Sequence, residues 1–124
     1  MPLERALVGG GSVLLAIAVA LGAYSAHAAK GAPHPEAARL LQTAVLYQFV
    51  HGIGIVFAGL MARNGHTPWL VGAGVLHFVG IILFCGSLWV LALTMKSLGA
   101  TAPVGGMCFI AGWIAMAMHA FTKA

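Results

Sequence analysis

The charged residues of this chain all lie outside four long uncharged stretches. Residues 6–29, 40–62, 64–95 and 97–122 contain no Asp, Glu, Lys or Arg, and each stretch is between 23 and 32 residues long. A helix that crosses the hydrocarbon core of a bilayer needs about 20 mostly apolar residues. The spacing of the charges therefore predicts four transmembrane helices joined by short loops.

Composition indicates the same class of protein. Hydrophobic residues make up 61% of the chain and charged residues 6%, whereas about a quarter of the residues are charged in ordinary soluble domains. Four spans use most of the 124 residues, so we predict one integral membrane domain over residues 1–124. The net charge of +4 comes from dispersed cations without a basic cluster, and this pattern excludes nucleic acid as a partner.

The Lys and Arg positions do not determine which side of the membrane the two termini face. With four spans, both termini and the second loop share one side, and the first and third loops share the other. The positive-inside rule compares Lys and Arg across the two sides. The comparison is three against three: Arg5, Arg63 and Lys123 against Lys30, Arg39 and Lys96.

The N-terminal stretch has a second interpretation. Arg5, the apolar residues after it and Ala26-His27-Ala28 are also typical of a secretory signal peptide with an A-x-A cleavage site. The uncharged run is longer than a usual signal core. We therefore interpret it as the first membrane helix.

Local signals set the ends of the helices. Thr67 before Pro68 is typical of an N-cap followed by a first helical residue, and Thr101 with Pro103 repeats the pattern. His34 and His66 fall in loops. Short loops make sequential helices antiparallel, so the predicted fold class is all-α, a four-transmembrane-helix up-down-up-down bundle. The expected helices span residues of about 4–28, 36–62, 68–96 and 102–121.

Small residues recur at helical spacing and mark expected contact faces, because close backbone approach drives helix packing in lipid. The third helix is expected to turn one face inward: Ala73, His77, Gly80, Phe84, Ser87, Leu91 and Thr94. The expected packing positions are Gly22, Gly80, Ser87, Gly105 and Gly112. Those expected to face lipid or a partner are Leu14, Ile17, Leu83 and Ile114.

Polar side chains also form a stripe on the second helix. The members of this polar stripe are Thr43, Tyr47, Gln48 and His51. Three of them are spaced by four residues, so they share a helix face. We expect the stripe to point into the bundle, because an unpaired polar group in hydrocarbon is costly. His51 is then expected to hydrogen-bond to another helix, with His77 or Ser87 as the favoured partners.

Four local patterns resemble a known family along nearly the whole chain. They are Gly-Ala-Tyr-Ser-Ala-His-Ala at residues 22–28, Thr43 with Tyr47-Gln48 and His51, Gly-Ile-Ile-Leu-Phe-Cys-Gly-Ser-Leu at residues 80–88, and Thr-Ala-Pro-Val-Gly-Gly at residues 101–106 with Gly112-Trp113. Their order and spacing resemble the small four-helix membrane proteins of unknown function that include the bacterial YgdD- and YwdK-type proteins and their mitochondrial relatives. The resemblance implies this fold and the bacterial inner membrane as location. It implies no activity and no catalytic residues.

Two functional interpretations remain open. In the first, the chain is a non-enzymatic accessory or scaffold subunit that contacts lipid and other membrane subunits or itself. Both carboxylates, Glu4 and Glu36, lie outside the spans, so acid–base catalysis and a carboxylate proton relay lack their residues. In the second, His51 and His77 hold a haem b, or His51 and Tyr47 hold a quinone or another lipophilic ligand. A transporter or channel role has less support than either.

Overall fold

The computed structural model describes residues 1–65 and 67–122, and this part of the chain contains four helices long and apolar enough to cross a membrane. The predicted all-α class with four membrane helices is confirmed. His66, expected in the second loop, and Lys123, used in the charge comparison, lie outside the described residues. The helices are α1 (Leu3–Lys30), α2 (Ala37–Ala62), α3 (Pro68–Thr94) and α4 (Thr101–Thr122).

Sequential helices run in opposite directions. Gly59 near the end of α2 lies against Val8 near the start of α1, and Thr67 before α3 contacts His119 near the end of α4. The start of α1 and the end of α4 therefore lie on the same side. The main contacts join α1 to α2, α2 to α3 and α3 to α4.

The helices differ in how much of them is enclosed. Half of the apolar window of α2 is buried, against 11% of the window of α1. The core follows α2 from Ala37 and Leu41 at one end to Ala58 and Ala62 at the other. Thus α2 is the central helix, and α1 packs on it as a peripheral one.

The predicted N-cap position is confirmed for Thr67, with Pro68 as the first helical residue, and is wrong for Thr101. Thr67 is the N-cap residue of α3, but its hydroxyl makes no cap hydrogen bond and instead lies 2.8 Å from Nδ1 of His119. Thr101 is the first residue of α4, and its hydroxyl donates to the carbonyl of Leu98. A buried imidazole needs a hydrogen-bond partner more than a helix end at the interface does, since the helix end can also meet water.

An ion pair stands at the start of α2. The guanidinium of Arg39 donates to the carboxylate of Glu36, and this hydrogen bond and its charge hold the pKa of Glu36 below its usual range. Both side chains are exposed. Such a surface pair contributes little to stability.

A π-helical segment, Ile81–Cys85, interrupts α3. A turn with i→i+5 hydrogen bonds holds one residue more than an α-helical turn, and Cys85 and Ala92 are buried one residue after the expected Phe84 and Leu91. Phe84 and Leu91 are half-buried and pack against core clusters. Ser87 is buried as expected, and the expectation is wrong for Thr94, which is exposed. The buried positions of this part of α3 are Ile81, Cys85, Ser87 and Ala92.

Glycines bring the helices into close contact at two seams. At Gly105, an added Cβ would stand 2.5 Å from the backbone nitrogen of Phe84. At Gly80 it would stand 2.4 Å from the ring of Phe109, and at Gly11 it would stand 2.7 Å from Val56. The seams α1–α2 and α3–α4 thus depend on glycine.

The other expected packing and lipid-facing positions are mixed. Gly22 makes only ordinary contact, with 3.4 Å between an added Cβ and Val45. Ile17 and Ile114 are exposed. Leu14 and Leu83 are half-buried instead, and Leu14 packs against a core cluster of α2, α3 and α4, because α1 is rotated to bring its Gly11 and Ala18 onto α2.

Candidate functional site

The polar stripe of α2 does not act as one unit, because its members turn in different directions. The side-chain nitrogen of Gln48 donates to the carbonyl of Leu14 on α1, at 2.9 Å, and Gln48 is buried. The hydroxyl of Thr43 donates to the carbonyl of Arg39 on its own helix. Within the stripe, Gln48 therefore joins α2 to α1.

Replacing Gln48 by methionine should destabilise the protein by about 0.6 kcal/mol, the average for a hydrogen bond between membrane helices. The cost is small because the carbonyl of Leu14 also belongs to the helical ladder of α1. Unfolding in mixed micelles measures it, and Gln42→Met, at an exposed position of the same helix, is the control. A loss as large in Gln42→Met would contradict the assignment.

Tyr47 does not point into the bundle. Its side chain is 38% exposed and packs at the outer surface against Phe84 and Phe109, with ring centroids 4.6 and 6.0 Å away. The expectation that the whole stripe faces inward is wrong for this residue. An aromatic ring can lie on an apolar surface while its hydroxyl stays accessible.

His51 is buried, with 5% of its surface exposed, and its Nδ1 lies 2.7 Å from the carbonyl oxygen of Tyr47. The expected partner on another helix, His77 or Ser87, is therefore wrong: Ser87 donates to the carbonyl of Phe84. A carbonyl oxygen can only accept, so Nδ1 of His51 carries the proton. In the neutral ring, Nε2 is then the acceptor.

Aromatic rings surround His51 on the side of α4. The ring of Phe109 stacks on it, with centroids 3.5 Å apart and planes 13° apart. Trp113 lies 5.9 Å away, and His77 of α3 lies 5.4 Å away. The site thus joins side chains of three helices.

His77 is fully enclosed and lies between two glycines. An added Cβ would stand 3.2 Å from its Nε2 at Gly54 and 2.8 Å from its Cε1 at Gly112. Neither ring nitrogen has a hydrogen-bond partner among the described residues. A buried polar atom without a partner costs stability and calls for an explanation.

A groove opens at the surface beside this cluster, with a volume of about 370 Å³. We call it the aromatic groove, and it is lined by Tyr47, His51, Phe84, Pro103, Gly106, Met107, Phe109, Ile110 and Trp113. The exposed members of this lining are Tyr47, Pro103, Met107, Ile110 and Trp113.

The two histidines do not fit a haem b. The macrocycle would have to lie between the imidazoles with a ligand on each face. Here the rings of His51 and His77 are neighbours, and Gly54, Gly112 and Trp113 close around His77. Among the described residues, no group of three or more His, Cys, Asp and Glu side chains could hold a metal ion.

Three residues of this site carry no functional signal in the sequence: Gly54, Phe109 and Trp113. Trp113 belongs to one of the four motifs, but the resemblance implies no role for it. Phe109 and Gly54 stand in uncharged runs among many apolar residues. Their spacing alone carries no signal that separates them from ordinary core positions.

Comparison with known proteins gives one family. The sequence model of a family described as a protein of unknown function (DUF423) matches residues 21–106. A UPF0382 membrane protein of Staphylococcus haemolyticus is 38% identical over 90% of this chain and 91% of its own length. One of Staphylococcus epidermidis is 40% identical over 86% and 87%. YwdK of Bacillus subtilis is 38% identical over 89% and 91%. No solved structure matches the chain.

Proposed function

The chain belongs to the DUF423 family of proteins of unknown function, and from this premise we propose that it is a non-catalytic accessory or scaffold subunit of a membrane protein assembly. Its relatives are named membrane proteins and come from bacteria. The four apolar helices make it a multi-pass protein of the inner, cytoplasmic membrane. Lipid and another membrane subunit are the proposed partners.

The outward face of α1 supports this role. Only 11% of the apolar window of this helix is buried. Its exposed side carries small residues at steps of three and four, flanked by larger exposed side chains. The small residues are Gly9, Ser12, Ala16, Ala20 and Ala23, and the larger ones are Val13, Ile17, Val19 and Tyr24. Small residues let two membrane helices approach closely, and a hydroxyl such as that of Ser12 can hydrogen-bond across the pair.

The outward faces of α2 and α4 lack such a run of small residues. On α2 and α4 the exposed positions outside the aromatic groove carry large apolar side chains: Leu46, Val50, Ile53, Phe57, Val104 and Ile114. Such residues suit fluid acyl chains. The small-residue face of α1 is therefore the surface that we assign to a transmembrane helix of a partner subunit.

Replacing Ala16 by leucine should dissociate the assembly, because the added side chain separates the two helices. Native electrophoresis of the tagged protein, extracted in mild detergent, should show a complex for the unaltered chain and the free subunit for Ala16→Leu. The control is Ala120→Leu, since Ala120 is exposed near the end of α4. It should leave the complex intact.

A photo-crosslinking residue at position 12 gives a second measurement. It should form a covalent adduct with another membrane protein, while the same residue at position 114 should label lipid. An adduct between two copies of this chain would make the partner a second copy. If the unaltered chain runs as a free subunit and position 12 labels only lipid, the scaffold role is wrong.

A further inference from the structure

We propose that the aromatic groove is a binding site for a quinol, a lipid-soluble molecule with a planar ring and a ring hydroxyl. His51 would accept the hydrogen bond of this hydroxyl, and Tyr47 would hold the ring at the rim. The site lies on α2, α3 and α4, away from the α1 face assigned to a partner helix. The failure of one proposal would therefore not contradict the other.

The walls of the groove favour a planar ring. Phe84, Phe109 and Trp113 line it together with Tyr47, and the rings of Tyr47 and Phe84 lie 4.6 Å apart at a tilt of 34°. The remaining wall is aliphatic and comes from Pro103, Met107 and Ile110 of α4. Aromatic rings pair with one another in stacked or tilted arrangements. Tyr47 and Trp113 are exposed at the rim, so a ligand can enter from the lipid without any movement of a helix.

The hydrogen-bond polarity of the site selects the reduced ring. The carbonyl of Tyr47 fixes the proton of His51 on Nδ1, which leaves Nε2 of the neutral ring as an acceptor. A quinol offers a hydroxyl proton to such an acceptor, whereas the oxidised quinone has only carbonyl oxygens. The site should therefore prefer quinol to quinone.

The acceptor nitrogen of His51 argues against a lipid acyl chain as the occupant. An acyl chain offers no hydrogen bond to Nε2 of His51, whereas the hydroxyl of a quinol does. His77 is 0% exposed and does not line the groove, so neither occupant reaches its ring nitrogens.

The test uses the whole protein in lipid nanodiscs and a ubiquinone with one isoprene unit, in its reduced and oxidised forms. A ligand that binds the folded state raises the melting temperature of the protein as the ligand concentration increases. The melting temperature as a function of ligand concentration gives the dissociation constant. We expect saturable binding. The dissociation constant of the reduced form should be about tenfold lower than that of the oxidised form, which is the effect of one additional hydrogen bond.

Two glycine variants test the location. Gly106 lines the groove, and an added Cβ would be 4.0 Å from the nearest atom, in Phe84, so Gly106→Val should fill the groove and weaken binding at least about tenfold. The control is Gly72→Val on α3, where an added Cβ meets no described atom within 4 Å. It should bind as the unaltered protein does.

The variant His51→Phe tests the acceptor, since it keeps a ring and removes the nitrogens. Binding of the reduced form should fall to that of the oxidised form, which should not change. Equal binding of both forms to the unaltered protein, or equal binding by Gly106→Val and Gly72→Val, would overturn the proposal. If Gly106→Val does not fold, Gly106→Ala provides the same comparison with a smaller side chain.

Discussion

Replacing Gly105 by alanine should destabilise the folded protein by about 3 kcal/mol, at the upper end of what overpacking costs. The added Cβ would stand 2.5 Å from the backbone nitrogen of Phe84 and 3.0 Å from the Cβ of Leu83. Neither atom is the end of a flexible side chain. The α3–α4 seam would have to open along its length to relieve the contact.

The next residue is the matched control. At Gly106 the nearest atom to an added Cβ is 4.0 Å away, so alanine meets no obstacle there. Alanine also favours a helix over glycine by up to about 1 kcal/mol. Gly106→Ala should therefore leave stability unchanged or raise it, and reversible unfolding in mixed micelles measures both variants. Equal effects at the two positions would show that α4 is rotated from the position described above.

Replacing His77 by leucine should stabilise the protein by about 1–3 kcal/mol, the usual cost of a buried polar group without a partner. Both ring nitrogens of His77 are enclosed, and the structure, over the residues that it describes, gives neither a hydrogen bond. Leucine has no polar atom. Leucine also has no atom in the place of the imidazole Cε1, which lies against Gly112. It should therefore fit without new strain.

The comparison variant is His119→Leu. His119 is also buried, but its Nδ1 lies 2.8 Å from the hydroxyl of Thr67. Leucine at this position breaks that hydrogen bond, so stability should fall by about 1 kcal/mol. If both variants lose stability to the same degree, the ring of His77 has a hydrogen-bond partner such as a buried water, and the prediction is wrong.

Much of the fold follows from the sequence because lipid imposes a simple rule. Charged residues are costly inside a bilayer, so their positions alone give the number of spans. The observed ends differ from the expected ones by one or two residues in most places, as α2 beginning at Ala37 and α4 at Thr101 show. On α3 the buried Ala73, His77, Gly80 and Ser87 could be predicted. Burial of Ile81, Cys85 and Ala92 could not, because the π-helical segment leaves no recognisable pattern in the residues.

Less of the candidate site follows from the sequence. The spacing of Tyr47 and His51 places both on one side of α2, but it does not give the rotation of that helix, which decides that Tyr47 is exposed and His51 is not. Their neighbour Phe109 comes from a helix about 60 residues later. Contacts between distant helices depend on the glycine seams, whose pairing cannot be read from one helix at a time.

The segment Ile81–Cys85 also has a consequence for the length of the chain. Removing one residue from an ordinary α-helical turn rotates everything beyond it by about 100°, and would turn the buried half of α3 away from its neighbours. Removing one residue from a π-helical turn converts it to an α-helical turn and leaves both flanking parts facing as before. This segment is thus the place in α3 where a single-residue deletion should be tolerated best.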